Sequence, residues 1–217
     1  MGSVPIKTEY GPTLGRLLSP RWRGAPRLVR ALVLGACVGL GVVVIAAVLV
    51  LGDAHYAHGG RVPFSFSYRS LYRTTPDSGG YVKVTRRRPG GRLEDSFAVA
   101  PLRLPPYSGE LSGELPLYAA GYVAALARRY RAFELGSEGK TRINTIPGYQ
   151  VVYTATVEGQ TMWGRDVLLL PPKRPGVRDG VQITMLTSPT ADPKVNSPLE
   201  VASDGVLLRP VKTFSFG

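Results

Sequence analysis

Two groups of residues in this 217-residue chain have the types and spacing to do chemistry. The first is His55-x-x-His58, with Asp53 two positions ahead. Imidazoles and carboxylates ligate metals, but structural zinc takes four protein ligands and catalytic zinc three. On a short polar segment these residues read as a solvated linker, so no metal or cofactor is expected. The second group is basic: Arg86, Arg87, Arg88 and Arg92 around Pro89-Gly90-Gly91, and Lys173, Arg174 and Arg178 around Pro175-Gly176. Guanidinium and ammonium groups bind phosphates and carboxylates. If both stretches share one end of a sheet, they can take phosphate headgroups, an acidic wall polymer or an acidic protein face. Taken separately they are solvated loop tips.

No other constellation emerges. Cys37 is the only cysteine and no histidine follows His58, so thiol chemistry and Ser-His pairing are excluded from residues 62–217. Acids, serines and lysines are present, yet no spacing singles out a catalytic pair. Gly-x-Ser-x-Gly and the phosphate-loop patterns are absent. The chain is therefore expected to be non-enzymatic, with a carboxylate-based hydrolase as the less favoured reading.

The location of any such site follows from residues 31–51, which are uncharged and consist of Ala, Val, Leu, Ile, Gly and Cys37. At 1.5 Å per helical residue the run reaches about 30 Å, the thickness of a bilayer's hydrocarbon core. A cleavable signal sequence is the competing reading. Its apolar region is usually about 7 to 15 residues and ends in a small-x-small site, whereas His55 and Tyr56 spoil the exit sequence here. Lys7, Arg16, Arg21, Arg23, Arg27 and Arg30 precede the run against one acid, Glu9, and the next basic residue is Arg61. Positive flanks stay in the cytoplasm, giving a single-pass protein in the cell membrane with a cytoplasmic amino terminus. The expected organisation is a disordered basic tail (1–30), a transmembrane helix (31–51), a juxtamembrane spacer (52–61) and an extracytoplasmic domain (62–217). Gly35-x-x-x-Gly39 offers a face through which two helices could approach closely as a homodimer.

The net charge is +12, and arginine outnumbers lysine 21 to 6 in a chain rich in Ala, Gly, Val and Pro, a composition typical of a GC-rich bacterial genome. Nucleic acid is not an expected partner, because the domain's basic residues lie outside the cytoplasm without a recognition-helix, RNA-binding or zinc-finger pattern. With no disulfide available, the domain depends on its core alone.

Period and turn signals give the elements. Phe64-Ser65-Phe66-Ser67-Tyr68 alternates as a strand. Residues 81–88 and 93–102 flank Pro89-Gly90-Gly91 as a hairpin. Leu115, Tyr118, Ala119, Tyr122, Leu126 and Tyr130 share one face of an amphipathic helix over 115–133, with Tyr118 and Tyr122 packed in the core. Residues 149–157 and 161–170 form a second hairpin through Glu158-Gly159-Gln160, and residues 181–187 form a further strand. Met162 and Trp163 fall on opposite faces of their strand. Ser197-Pro198-Leu199-Glu200 predicts a capping box opening a helix that runs toward Leu208 and stops before Pro210. The fold class is α+β, an antiparallel sheet packed with helices.

The run Pro147-Gly148-Tyr149-Gln150-Val151-Val152-Tyr153, the return strand Trp163-Gly164-Arg165-Asp166-Val167-Leu168-Leu169, the strand from Gly180 to Leu186 and the last helix leading to Phe214-Ser215-Phe216 resemble the PsbP-like α/β sandwich. That group includes photosystem II extrinsic subunits and bacterial lipoproteins of the LpqN type. The resemblance, spanning residues 62–217, implies a binding or assembly role and brings no catalytic residue. The chain differs from the lipoproteins in lacking a lipidated cysteine at a processing site. Its expected partners are the bilayer and an envelope protein or acidic polymer. A carrier or sensor of a small apolar ligand is the alternative, requiring an apolar pocket between the sheet and the tyrosine-bearing helix.

Overall fold

The structure, a computed structural model, describes residues 26–75, 79–105, 111–172 and 178–217. The chain forms two compact units that divide between Leu49 and Val50. The first contains most of α1 (Arg27–Leu51), which starts four residues before the uncharged run. Over Arg27–Ala47 this helix is long and apolar enough to cross a membrane. Gly35 and Gly39, one helical turn apart, both have open space where a side chain would stand.

The described residues of the second unit contain ten strands, β1 (Asp53–His58), β2 (Phe64–Arg69), β3 (Arg73–Thr75), β4 (Val82–Arg87), β5 (Leu93–Arg103), β6 (Arg131–Ile143), β7 (Ile146–Val157), β8 (Gln160–Leu169), β9 (Asp179–Thr187) and β10 (Ser215–Phe216). Its helices are α2 (Leu111–Arg129), a 3₁₀ turn over Pro198–Glu200, and α3 (Leu208–Thr213). A seven-stranded antiparallel sheet runs in the order β3-β4-β5-β9-β8-β7-β6, and a three-stranded sheet in the order β1-β2-β10. The class is α+β, as the periodicities predict.

Strand alternation sends alternate side chains to opposite faces, and both faces of the large sheet are covered. One face carries Val84, Phe97, Val99, Val167, Ile183 and Met185 into a core shared with Phe64, Phe66, Phe214 and Trp163. The other carries Val151, Tyr153, Ala155, Met162 and Leu186 beneath Leu126, Tyr122 and Val123 of α2. Met162 and Trp163 thus serve opposite cores. The β7–β8 connection is a two-residue turn with positive φ at both Glu158 and Gly159, the primed geometry that matches strand twist. Gly90 and Gly91 also take positive φ, 101° and 86°, in the β4–β5 turn.

Four expectations need correction. Residues 53–58 are not a spacer: β1 pairs in register with β2 from Asp53↔Arg69 to His58↔Phe64. The folded unit therefore begins well before Val62. Residues 131–143, partly assigned to the helix, form β6, an edge strand with shifted pairing near Arg131 and Leu135. Its many exposed charged positions hide the alternation on which a sequence reading depends.

The remaining two corrections concern the carboxyl-terminal segment. Ser197 makes no side-chain cap; instead the Glu200 carboxylate accepts the Asn196 N–H at 2.7 Å, and only a 3₁₀ turn follows. The last helix contains Pro210 rather than stopping before it. Proline is accommodated in the first turn, where backbone N–H groups lack helical acceptors.

Candidate functional site: a basic cleft

The His-x-x-His pair is ruled out as a joint ligand by geometry. Its members are three apart on a strand and so face opposite ways. His55 Nδ1 lies 3.3 Å from Ser67 Oγ, while His58 packs on Phe64 and Tyr81 at ring distances of 5.1 and 4.2 Å.

Arg178 does not meet the Arg86–Arg92 stretch. In the β5–β9 ladder Asp95 stands opposite Thr187 at the β4–β5 turn end, and Arg103 stands opposite Asp179 at the other. About eight residues of strand, roughly 27 Å, separate the Arg86–Arg92 segment from Arg178. Lys173 and Arg174 lie outside the described residues. Arg178 donates to the buried Glu114 carboxylate at 2.9 Å and to the Pro105 carbonyl, so it ties the β8–β9 connection to the first turn of α2.

Arg86, Arg87 and Arg88 are each held by acids of the fold, Arg86 partly buried and the other two at the surface. Arg86 binds Glu94 at 2.7 Å and grips Asp95, which is 0% exposed. Arg87 forms a two-pronged pair with Glu158 at 2.7 and 2.8 Å. Arg88 binds Glu94 at 2.7 Å and the Thr190 carbonyl at 2.7 Å. Burial pushes the Asp95 carboxyl up, while the Thr187 hydroxyl and Arg86 oppose that rise. Arg92 remains exposed, with no ion pair among the described residues. The acids that hold Arg86 and Arg88 are legible in the sequence: Glu94-Asp95 follows the turn at the positions a hairpin places across from Arg86.

These contacts brace the segment beyond β9. Arg88 holds Thr190 and Arg86 donates to the Ala191 carbonyl at 3.3 Å, immediately before Asp192. Asp192 forms one wall of a cleft of about 350 Å³ lined by Arg69, Asp192, Lys194, Asp204, Gly205, Val206, Leu208, Arg209 and Lys212. Its four cations outnumber two carboxylates, and both carboxylates are held by backbone donors. Asp192 accepts the N–H groups of Lys194 and Val206 at 3.0 and 3.1 Å, and Asp204 accepts that of Gly205 at 3.0 Å. Arg69 and Arg209 contact Asp53 of β1. Lys194 and Lys212 are exposed and make no ion pair among the described residues. No spacing rule could assemble this site, because Arg69 and Lys212 are brought together by the β1–β2 pairing and the packing of α3.

A second polar cluster lies beneath α2. Asp166 on β8 is 1% exposed and accepts the Tyr122 hydroxyl, with Tyr153 donating from 3.3 Å. The Gln182 amide donates to the Tyr122 oxygen at 2.6 Å. Burial raises the Asp166 carboxyl to about 6, against the opposing hydrogen bonds from Tyr122, Thr184 and Tyr153. The Tyr153 ring covers Gly164, where a Cβ would overlap it. Tyr122 therefore does more than fill space: its hydroxyl fastens the helix to the sheet. A helical stripe of apolar and aromatic residues could not disclose its acidic partner 44 residues away.

No family model and no curated protein matches this chain. Solved structures do. The chain is similar to LpqN of Mycobacterium tuberculosis, described as involved in cell envelope biogenesis, with 10% identity, 76% of this chain and 91% of that one covered, and a TM-score of 0.51. It is also similar to the cyanobacterial PsbP protein CyanoP of Synechocystis sp. PCC 6803, with 14% identity, 76% and 92% coverage, and a TM-score of 0.49. The folded unit thus shares the fold of LpqN.

Proposed function

We propose that this protein is a membrane-anchored, non-enzymatic binding module of the bacterial cell envelope that recognises anionic groups through the basic cleft. The excess of cations around the cleft carries the reading, since Lys194 and Lys212 make no ion pair among the described residues while both lining acids are held by backbone N–H groups. The anchor is α1, with residues 1–30 in the cytoplasm and the folded unit outside, supported by the one-sided charge before the helix. An envelope role also accords with what is stated of LpqN. The apolar-carrier alternative loses ground because Tyr122, Val123 and Leu126 pack directly against the sheet beneath α2.

Crosslinking of the full chain in native membranes, followed by mass spectrometry, tests the reading. An anionic envelope component should accompany the native protein and be lost on Lys194→Glu with Lys212→Glu. Recovery unaffected by the charge reversal would remove the cleft from this role.

A further inference from the structure

Two of the cleft's lining residues, Arg69 and Arg209, contact Asp53, the first residue of β1. Gly52 follows the last residue of α1, and its carbonyl accepts the Ser70 N–H at 2.9 Å. Asp53 pairs with Arg69 in the β1–β2 ladder and binds Arg209. Leu51 and Asp53 are two residues apart, so covalent geometry alone keeps their Cα atoms within about 7 Å. With α1 ending at a bilayer surface, this covalent tether keeps Asp53 and the two arginines that bind it within reach of the lipid headgroups. The lining suits that boundary: exposed Lys194 and Lys212 stand beside half-buried Val206 and Leu208, pairing cations with apolar surface.

From this placement we infer that the cleft binds the phosphate of an anionic phospholipid headgroup in the leaflet where α1 emerges. The inference rests on the anchored reading above and names the ligand class of the same cleft. Lys194 and Lys212 supply the charge and the arginines, already bound to Asp53, form the wall. Bound lipid would hold the folded unit against the membrane and fix which of its surfaces face outward. Each cation near an anionic surface contributes on the order of 1 kcal/mol, so the two lysines together give roughly 30-fold in affinity.

The test uses the full chain in nanodiscs of phosphatidylcholine, alone or with roughly one quarter phosphatidylglycerol. Amide hydrogen exchange is followed over residues 192–212. Exchange should slow only in the anionic discs, and Lys194→Gln with Lys212→Gln should restore the neutral-disc rate. Arg103→Gln, at the Asp179 end of the sheet, should leave the lipid effect intact. Equal protection by soluble glycerol phosphate in neutral discs would overturn the lipid assignment in favour of a free phosphate. Equal exchange in both discs, with the protein still embedded, would overturn the inference and leave the anchor standing. Loss of the protein from the discs would overturn both.

Discussion

Replacing Asp166 with asparagine isolates the buried carboxylate beneath α2. In the folded chain burial raises this carboxyl to about 6, whereas an unfolded aspartate titrates near 3.9. The folded state therefore holds the proton more tightly. The associated stability is fully present below about pH 4 and is lost as pH rises through about 6. A shift of about two units corresponds to about 3 kcal/mol across the whole range, with about 1.4 kcal/mol of it appearing between roughly pH 8 and pH 5.

Asp166→Asn removes this proton while keeping a polar group of the same shape under Tyr122. Urea unfolding of the full chain in mild non-ionic detergent, followed by tyrosine near-ultraviolet circular dichroism, measures both proteins at each pH. Subtracting the variant from the native protein cancels the contributions of Asp95 and Glu158, whose carboxyls are shifted up and down respectively. The difference should move by about 1.4 kcal/mol toward native stability from about pH 8 to pH 5. A difference constant within about 0.5 kcal/mol would mean that water reaches Asp166 and that its burial carries no such cost.

Gly164→Ala drives a Cβ into the Tyr153 ring and should cost about 1 to 3 kcal/mol in the same unfolding assay; native-like stability would show that the ring moves freely aside. Arg86→Ala leaves the buried Asp95 without its guanidinium and should cost about 3 to 5 kcal/mol. Exposed Arg92→Ala should stay within about 0.5 kcal/mol of native, and equal losses for the two would show that Arg86 is not a brace. Gly35→Leu with Gly39→Leu fills the open small-residue face of α1 and should lower the crosslinked dimer fraction in membranes; an unchanged fraction would exclude that face from association.

Burial explains which parts of this architecture were legible in the sequence. Strands β5, β7, β8 and β9 occupy the middle of the large sheet, and their apolar residues carry a strong signal. The face of α2 is legible for the same reason. Strand β6 packs few side chains, and Asp53-Ala54-His55-Tyr56-Ala57-His58 shows no apolar alternation until β2 supplies its partner. At the carboxyl end, Ser197 and Glu200 carry the right letters for a cap, but the chain makes one 3₁₀ turn and delays its helix to Leu208.

The site was harder to read than the fold. Arginine runs advertise charge, yet three of the four around the β4–β5 turn are neutralised by Glu94, Asp95 and Glu158, two of them on the opposing strand. Their consequence is indirect. By holding Thr190 and Ala191, Arg88 and Arg86 fix the wall that carries Asp192, and the cleft's cations without an ion pair among the described residues are Lys194 and Lys212, isolated residues with no local motif.

Labelling with a membrane-impermeant maleimide in intact cells tests the central claim of an anchored module with its folded unit outside. The variants Arg92→Cys and Ser3→Cys are compared in carbonate-washed membranes of the native host, with Cys37 inside the apolar helix as the internal reference. The account predicts that both variants stay in the membrane fraction. Arg92→Cys should be modified in intact cells, and Ser3→Cys only after the cells are opened. Release of a shortened soluble protein, or labelling of the Ser3→Cys variant in intact cells, would contradict it.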